Sequence, residues 1–117
     1  MIMKKIAVYP PTPPIEFEKT HYSISLKWKA STTSSRCLYY ELLVQEVDSE
    51  FSVATDDRPW KGNWKVLESR LDKTLYVVSN LKPLRRYIFR VREYDVDSGM
   101  WTPYSDLSRI IKTNRRM

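Results

Sequence analysis

Apolar and polar residues alternate along several short stretches of the chain, and this period of two is typical of β-strands with one buried side. The clearest stretch is residues 87–95, YIFRVREYD. Its two faces carry Tyr87, Phe89 and Val91 on one side, and Ile88, Arg90, Arg92 and Tyr94 on the other. The pattern therefore predicts a strand that buries its first face and presents an arginine-rich second face outward.

Other stretches predict further strands in the same way. Residues 22–29 predict a strand that buries Ile24, Leu26 and Trp28, with Trp28 as the central aromatic residue of the core. Residues 37–47 predict a long strand with Tyr40, Leu42 and Val44 inward, and Tyr39, Glu41, Leu43 and Gln45 outward. Shorter strands are predicted at residues 15–19, 64–68, 74–78 and 105–113. The chain is therefore predicted to be an all-β protein with seven strands.

A bend is predicted between the strands at residues 74–78 and 87–95. Pro83 fixes φ and removes a backbone donor, so the chain turns there. Tyr87 follows the bend, and a ring buried there with its hydroxyl returned to the upstream backbone is the tyrosine corner of Greek-key sandwiches. The spacing Leu-x-Pro-x-x-x-Tyr from Leu81 to Tyr87, followed by Phe-Arg-Val-Arg, resembles a strand of a fibronectin type III domain.

The resemblance to fibronectin type III domains extends over residues 11–113. It includes Ser-Ile-x-Leu-x-Trp ending at Trp28, a strand that opens with Trp64, and the pair Tyr104-Ser105. It implies a seven-stranded antiparallel Greek-key β-sandwich of the immunoglobulin-like class, with the first, second and fifth strands opposite the other four. Residues 1–10 are then an N-terminal arm and residues 114–117 a basic tail. The side chains expected between the sheets are Trp28, Tyr40, Leu42, Phe89 and Val91.

A second resemblance concerns residues 104–108, YSDLS. This stretch is similar to a degenerate form of the Trp-Ser-x-Trp-Ser sequence of cytokine-receptor domains. In that family, arginines of the neighbouring strand stack between the aromatic rings by cation–π contacts. Here Tyr104 and Leu107 replace both tryptophans, so a plain fibronectin type III domain is the favoured interpretation. A cytokine-receptor-like extracellular binding domain stays as an alternative.

Charge is unevenly placed along the chain, whose formal net charge is +6. Residues 46–57 carry five acids and no bases, whereas residues 85–117 carry eight bases against four acids. A basic side can attract nucleic acid or an acidic protein surface. Tyr87 faces inward, which leaves Tyr94 as the only aromatic residue on the outer face of its strand. Stacking on bases is therefore disfavoured, and a protein partner is expected.

The residues exclude the common catalytic designs. Gly62 and Gly99 cannot form a phosphate-binding loop, and His21 and Cys37 are the only residues of their kinds. We therefore expect no enzyme activity, no cofactor and no metal site. The single cysteine also favours a reducing cytoplasmic compartment over an extracellular one. No stretch of apolar residues is long enough to span a bilayer.

The expected function is a non-catalytic protein-interaction or scaffolding module within a larger intracellular assembly. We expect the partner to contact the outer face of the sheet formed by the strands at 37–47 and 87–95, where an apolar strip is edged by arginines. The segment 48–63 is unusually long for a strand connection and carries Trp60, which predicts a second contact. The expected contact residues are Tyr39, Leu43, Arg90, Arg92, Tyr94, Trp60 and Trp101.

Overall fold

The computed structural model describes residues 9–31, 37–47 and 64–116, and it shows two antiparallel sheets. The eight strands are β1 (Ile15–Lys19), β2 (Ile24–Lys27), β3 (Cys37–Val47), β4 (Lys65–Leu71), β5 (Leu75–Val78), β6 (Arg86–Asp95), β7 (Met100–Trp101) and β8 (Ile111–Lys112). One sheet has the order β1-β2-β5. The other has the order β4-β3-β6-β7, and β8 also pairs with β6. The predicted all-β sandwich and its division into sheets are confirmed.

The core lies between the two sheets and contains the five side chains that the sequence predicts there. Trp28 is 4% exposed, and its ring meets that of Tyr40 edge to face with the centroids 5.7 Å apart. The same cluster of buried residues includes Ile24, Leu26, Leu42, Val44, Val78, Tyr87, Phe89, Val91 and Ile111. Period-two alternation in β2, β3 and β6 supplies most of this cluster, because every second side chain of a strand points to the same face.

The predicted tyrosine corner is present between β5 and β6. The backbone N–H of Lys82 donates a hydrogen bond to the Tyr87 hydroxyl over 3.2 Å. Leu84 has a φ of 56°, in the left-handed region that a leucine rarely adopts. The backbone N–H of Arg85 donates to the side-chain hydroxyl of Thr113 over 3.0 Å. Thr113, which follows β8, therefore helps to hold the corner in place. These contacts fix where β6 begins.

The last predicted strand, residues 105–113, is wrong for most of its length. Residues 102–110 form no strand, and their burial repeats every three residues. Thr102, Ser105 and Ser108 are buried, Pro103, Asp106 and Arg109 are exposed, and Tyr104, Leu107 and Ile110 are half-buried. Three residues per turn is the period of polyproline II, which is extended but does not alternate like a strand.

Hydroxyl side chains explain how this segment stays attached to β6. The backbone N–H groups of Thr102, Ser105 and Ser108 donate to the carbonyls of Glu93, Val91 and Phe89 over 2.8, 2.7 and 2.9 Å. The hydroxyls of the same three residues accept hydrogen bonds from the backbone N–H groups of those β6 residues over 3.1, 3.1 and 2.9 Å. Every three residues of the segment therefore lie beside two residues of β6. One residue in each three points toward the outer face of the sheet that contains β6.

Candidate protein-interaction surface

Rings and guanidinium groups alternate across the outer face of the β4-β3-β6-β7 sheet. The guanidinium carbon of Arg90 lies 4.4 Å from the ring centroid of Trp64 and 4.2 Å from that of Tyr104. The guanidinium carbon of Arg92 lies 4.7 Å from the centroid of Tyr104 and 4.3 Å from that of Trp101. We call the row Trp64–Arg90–Tyr104–Arg92–Trp101 the ladder. All four contacts are well inside the range of a cation–π interaction.

An aromatic cluster extends the ladder at its Trp101 end. The rings of Tyr39 and Tyr94 are stacked, with centroids 5.3 Å apart and an interplanar angle of 12°. The Trp101 ring meets each of them edge to face with centroids 5.4 Å apart. The guanidinium carbon of Arg70 lies 5.4 Å from the Tyr39 centroid. Tyr39 and Tyr94 are opposite each other in the pairing of β3 with β6, and Tyr94 is opposite Trp101, so sheet register builds the cluster.

A nearly buried carboxylate holds the ladder in place. Glu41, on β3, is 9% exposed. One of its oxygens, Oε1, accepts a hydrogen bond from Arg92 Nε over 2.8 Å and another from the Tyr104 hydroxyl over 2.6 Å. Charge-assisted bonds of this kind are short and strong. Glu41 therefore fixes the positions of the Arg92 guanidinium and the Tyr104 ring, both through Oε1.

The pKa values of two ladder residues are shifted by burial and by neighbouring charges. Burial lowers the pKa of the Arg90 guanidinium from its usual value, and the neighbouring charge of Arg92 acts in the same direction, while Tyr104 and Glu41 oppose it. Burial, together with the hydrogen bond and negative charge of Glu41, raises the pKa of Tyr104 to about 12. The phenol is therefore held neutral, as a donor to Glu41, well into the alkaline range.

The raised pKa of Tyr104 predicts an alkaline loss of stability. The unfolded chain releases this proton near the ordinary pKa of 10.0, whereas the folded chain holds it to about 12. The contribution of Tyr104 to the free energy of unfolding is therefore complete below pH 10 and is lost as the pH rises toward 12. We expect urea unfolding at several pH values to show this fall. In Tyr104→Phe, the free energy of unfolding should fall less steeply with pH over this range. An equal fall in both proteins would contradict the raised pKa of Tyr104.

The apolar residues predicted on the outer side of this sheet lie there, but they are buried. Leu43 is 5% exposed and Ile88 is 1% exposed, although both point to the outer side of the sheet as expected. Leu43 is opposite Arg90 in the β3–β6 pairing, and Ile88, Arg90 and Arg92 follow each other on one face of β6. Leu43 and Ile88 are therefore buried beside the ladder residue Arg90, and the role of Leu43 as a partner contact stays a prediction.

The structure brings together most of the other contact residues predicted from sequence. Arg90, Arg92 and Trp101 belong to the ladder, and Tyr39 and Tyr94 to the aromatic cluster beside it. Trp60 lies outside the described residues. The supporting residues were not among the contact residues predicted from the sequence; they are Glu41, Trp64, Arg70 and Tyr104. The signal that could have found them was the Arg-x-Arg of β6 combined with the Tyr-Ser of residues 104–105.

Exposed apolar side chains also lie on the outer face of the other sheet. Ile15 and Phe17 of β1 and Leu75 and Val77 of β5 are exposed at 57%, 47%, 49% and 52%. The ammonium group of Lys27, on the central strand, lies 5.7 Å from the Phe17 ring centroid. The alternation pattern of the sequence did not predict this group of exposed apolar residues.

The architecture defines the class of protein: a two-sheet antiparallel sandwich with a tyrosine corner, of the immunoglobulin-like type. A family model described as fibronectin type III domain matches residues 9–108. The chain belongs to the fibronectin type III family. Domains of this family are general protein-interaction and scaffold modules and are generally non-catalytic. No curated protein sequence matches the chain.

Solved structures share the fold at low sequence identity. Titin module A71 from human cardiac muscle is 22% identical, with a TM-score of 0.69, over 91% of this chain and 92% of that one. The fibronectin type III domain of human fibronectin type III domain containing protein 3 is 21% identical, with a TM-score of 0.67, over 97% and 93%. Titin domains A168–A170 are 19% identical, with a TM-score of 0.71, over 93% of this chain and 33% of that structure.

The described residues contain neither a membrane-spanning helix nor a metal-binding cluster. No helix in this part of the chain has the length and apolar character needed to cross a bilayer. Across residues 9–31, 37–47 and 64–116, no three side chains of His, Cys, Asp and Glu come together as a group that could hold a metal ion.

Proposed function

We propose that this domain is a non-catalytic interaction module that binds an acidic protein surface through the ladder and the aromatic cluster beside it. The observation that carries the proposal is the ladder itself. Trp, Tyr and Arg are the residue types that dominate binding energy at protein interfaces, and here they lie half-exposed in one row. Trp60, in the long segment between β3 and β4, is proposed as a further contact.

Preorganisation supports this surface as a binding site. A partner normally has to immobilise flexible side chains, at about 0.5–1.5 kcal/mol for each one. In the ladder, Arg90 and Arg92 already lie between rings, and Glu41 already holds Arg92 and Tyr104. The partner therefore meets groups whose positions are set before it arrives.

Charge supports an acidic partner. Glu41 is the carboxylate that contacts the ladder, and it lies beneath the surface with its ion pair to Arg92 at 2.8 Å. Arg90 is stacked between two rings and forms no ion pair with any described residue. A carboxylate on the partner would bind the planar guanidinium of Arg90 through two hydrogen bonds. A lysine at position 90 could not form this pair. We place the domain in a cytoplasmic assembly, with its single cysteine, Cys37, as the supporting observation.

The test is capture of a partner from the native source with the intact chain and with matched variants. Trp101→Ala removes the ladder's terminal ring, whereas Phe17→Ala removes an exposed ring of the opposite sheet. We expect Trp101→Ala to lose at least about tenfold in partner affinity, the effect of one interface hot spot. Phe17→Ala should bind as the parent does.

Three outcomes would count against the proposal. Equal capture by Trp101→Ala and the parent would remove the ladder as the contact surface. Loss of capture in Phe17→Ala alone would move the contact to the other sheet. A salt-sensitive shift of a random single-stranded oligonucleotide, abolished by Arg90→Ala, would favour nucleic acid over protein as the ligand. Trp60→Ala tests the second contact separately, and unchanged affinity would exclude Trp60.

A further inference from the structure

Strand pairing gathers exposed apolar side chains on the outer face of the β1-β2-β5 sheet. Ile15 and Leu75 both pair with Lys27 of the central strand, so these three residues form one cross-strand row. The next row on the same face has Ser25 in the centre and Val77 on β5. A sheet face that meets only water normally carries polar residues at such positions. The exposed apolar side chains therefore indicate that this face makes a contact.

An irregularity in β1 adds two consecutive residues to the same face. The register of β1 shifts between Glu16 and Glu18, so Phe17 is an extra residue at this point, as in a β-bulge. Glu18 pairs with Ser25 and therefore points outward. The Phe17 ring also lies on this side, because its centroid is 5.7 Å from the Lys27 ammonium group. We call this surface the apolar face, and it consists of Ile15, Phe17, Glu18, Ser25, Lys27, Leu75 and Val77.

The two charged side chains of the apolar face have opposite signs. Lys27 and Glu18 are both exposed, and neither forms an ion pair with any described residue. They lie on neighbouring strands, in neighbouring rows. A two-fold axis that lies in the plane of an interface and passes between them would bring Lys27 of each copy to Glu18 of the partner subunit, because two-fold contacts are reciprocal. The face is therefore complementary to a second copy of itself in charge as well as in apolar character.

We propose that this domain forms a two-fold symmetric dimer through the apolar face. Each copy contributes its four apolar side chains to the contact, and two Lys27–Glu18 pairs form across it. A second copy satisfies both charges of the face at once. The ladder lies on the other sheet, so dimerisation leaves the ladder of each copy accessible. The dimer therefore neither requires nor blocks the partner proposed for the ladder.

The size of the apolar face predicts a weak dimer. The face spans three strands of five, four and four residues, and strands of a sheet lie only about 4.8 Å apart. It is therefore smaller than the roughly 800 Å² that each partner contributes to a standard stable interface. The net charge of +6 on each copy, with Lys29 and Lys73 exposed just beyond β2 and β5, also opposes association. Salt at physiological strength screens such charges beyond about 8 Å. We therefore expect a dissociation constant in the micromolar to millimolar range.

The test is sedimentation velocity of the intact chain over that concentration range, in about 0.15 M salt. Val77→Lys places a charge in the centre of the proposed contact, twice in each dimer. We expect it to weaken dimerisation at least about tenfold, because two apolar side chains lose their burial. Val66→Lys is the matched control, because Val66 is a strand valine of similar exposure, 49% against 52%, on the other sheet. It should dimerise as the parent does.

A charge exchange tests the two-fold arrangement. Lys27→Glu alone, or Glu18→Lys alone, places like charges together at both contacts and should weaken dimerisation about tenfold. An equal mixture of the two variants should recover association as a heterodimer, because each contact then again joins one acid and one base. Recovery in the mixture would also show that both variants are folded.

Several results would overturn the proposal. They are a parent chain that stays monomeric at the highest concentration, equal dimerisation by Val77→Lys and Val66→Lys, and a mixture of the charge variants that stays monomeric. A dimer that Trp101→Ala dissociates and Val77→Lys does not would move the contact to the ladder. The measurement uses this chain alone, whereas the ladder is tested by capture of a different protein. Failure of the dimer is therefore separable from failure of the proposed function.

Discussion

Replacing Trp28 with alanine is expected to lower the free energy of unfolding by about 3–5 kcal/mol, the range for deleting a large aromatic side chain from a core. Trp28 is 4% exposed and packs edge to face on Tyr40 between the two sheets. The loss combines the transfer free energy of the ring with the cavity that it leaves behind. Since a domain of this size is stable by only about 5–15 kcal/mol, much of its stability would be lost.

Guanidinium unfolding followed by circular dichroism measures this change. Trp28→Phe is the control, because it keeps an aromatic ring in the same place and should lose clearly less than Trp28→Ala. If Trp28→Ala is unfolded without denaturant, the comparison of the parent with Trp28→Phe still gives the direction. A loss below about 1 kcal/mol for Trp28→Ala, typical of a surface position, would contradict the central placement of this ring.

Replacing Arg92 with alanine is expected to cost about 2–3 kcal/mol of stability, more than a surface arginine normally contributes. Arg92 gives Glu41 its ion pair at 2.8 Å and stacks between Tyr104 and Trp101. Hydrogen bonds to charged groups contribute about 1.5–3 kcal/mol, and each cation–π contact adds about 0.5–1 kcal/mol. The larger part of the loss arises because the buried Glu41 carboxylate loses its ion-pair partner.

A double-mutant cycle tests this reason. Glu41→Gln removes the uncompensated charge, so the double variant of Glu41→Gln and Arg92→Ala should be more stable than the two single losses added together predict. Arg92→Lys should fall between the parent and Arg92→Ala, because lysine keeps the charge but not the planar stacking group. Strict additivity in thermal and urea unfolding would show that Glu41 and Arg92 are not coupled. Arg92→Ala should therefore also lower the melting temperature.

The strands of the sandwich could be predicted because their signal is local. β1 and β3 have the bounds that the sequence predicts, and β6 begins one residue earlier than its clearest alternation. The inward faces of β2, β3 and β6 follow from a period of two, which each strand carries in its own residues. The corner followed from the spacing of Pro83 and Tyr87, and the hydrogen bond from Lys82 to the Tyr87 hydroxyl confirms it.

The last segment could not be predicted by the same rule. Residues 105–113 look like a strand by composition, but their hydroxyl side chains bond the backbone of β6 and impose a period of three. This arrangement depends on β6 already being in place beside them. The alternation of apolar and polar residues predicts the two faces of a strand. It does not show that a neighbouring strand forms hydrogen bonds with every third residue of a segment.

The chain sequence by itself determined the sandwich, its core and its corner, because hydrophobic periodicity and proline placement are properties of neighbouring residues. Only the tertiary structure decided what covers the outer face. Leu43 and Ile88 were apolar and outward on any local reading, yet they are 5% and 1% exposed, and the neighbouring Arg90 stacks between Trp64 and Tyr104. A cation–π row joins Trp64, Arg90 and Tyr104 across long sequence distances, and contacts between separate segments set their spacing. The arrangement of this outer face is therefore a product of contacts between separate segments, which alternation within one strand does not encode.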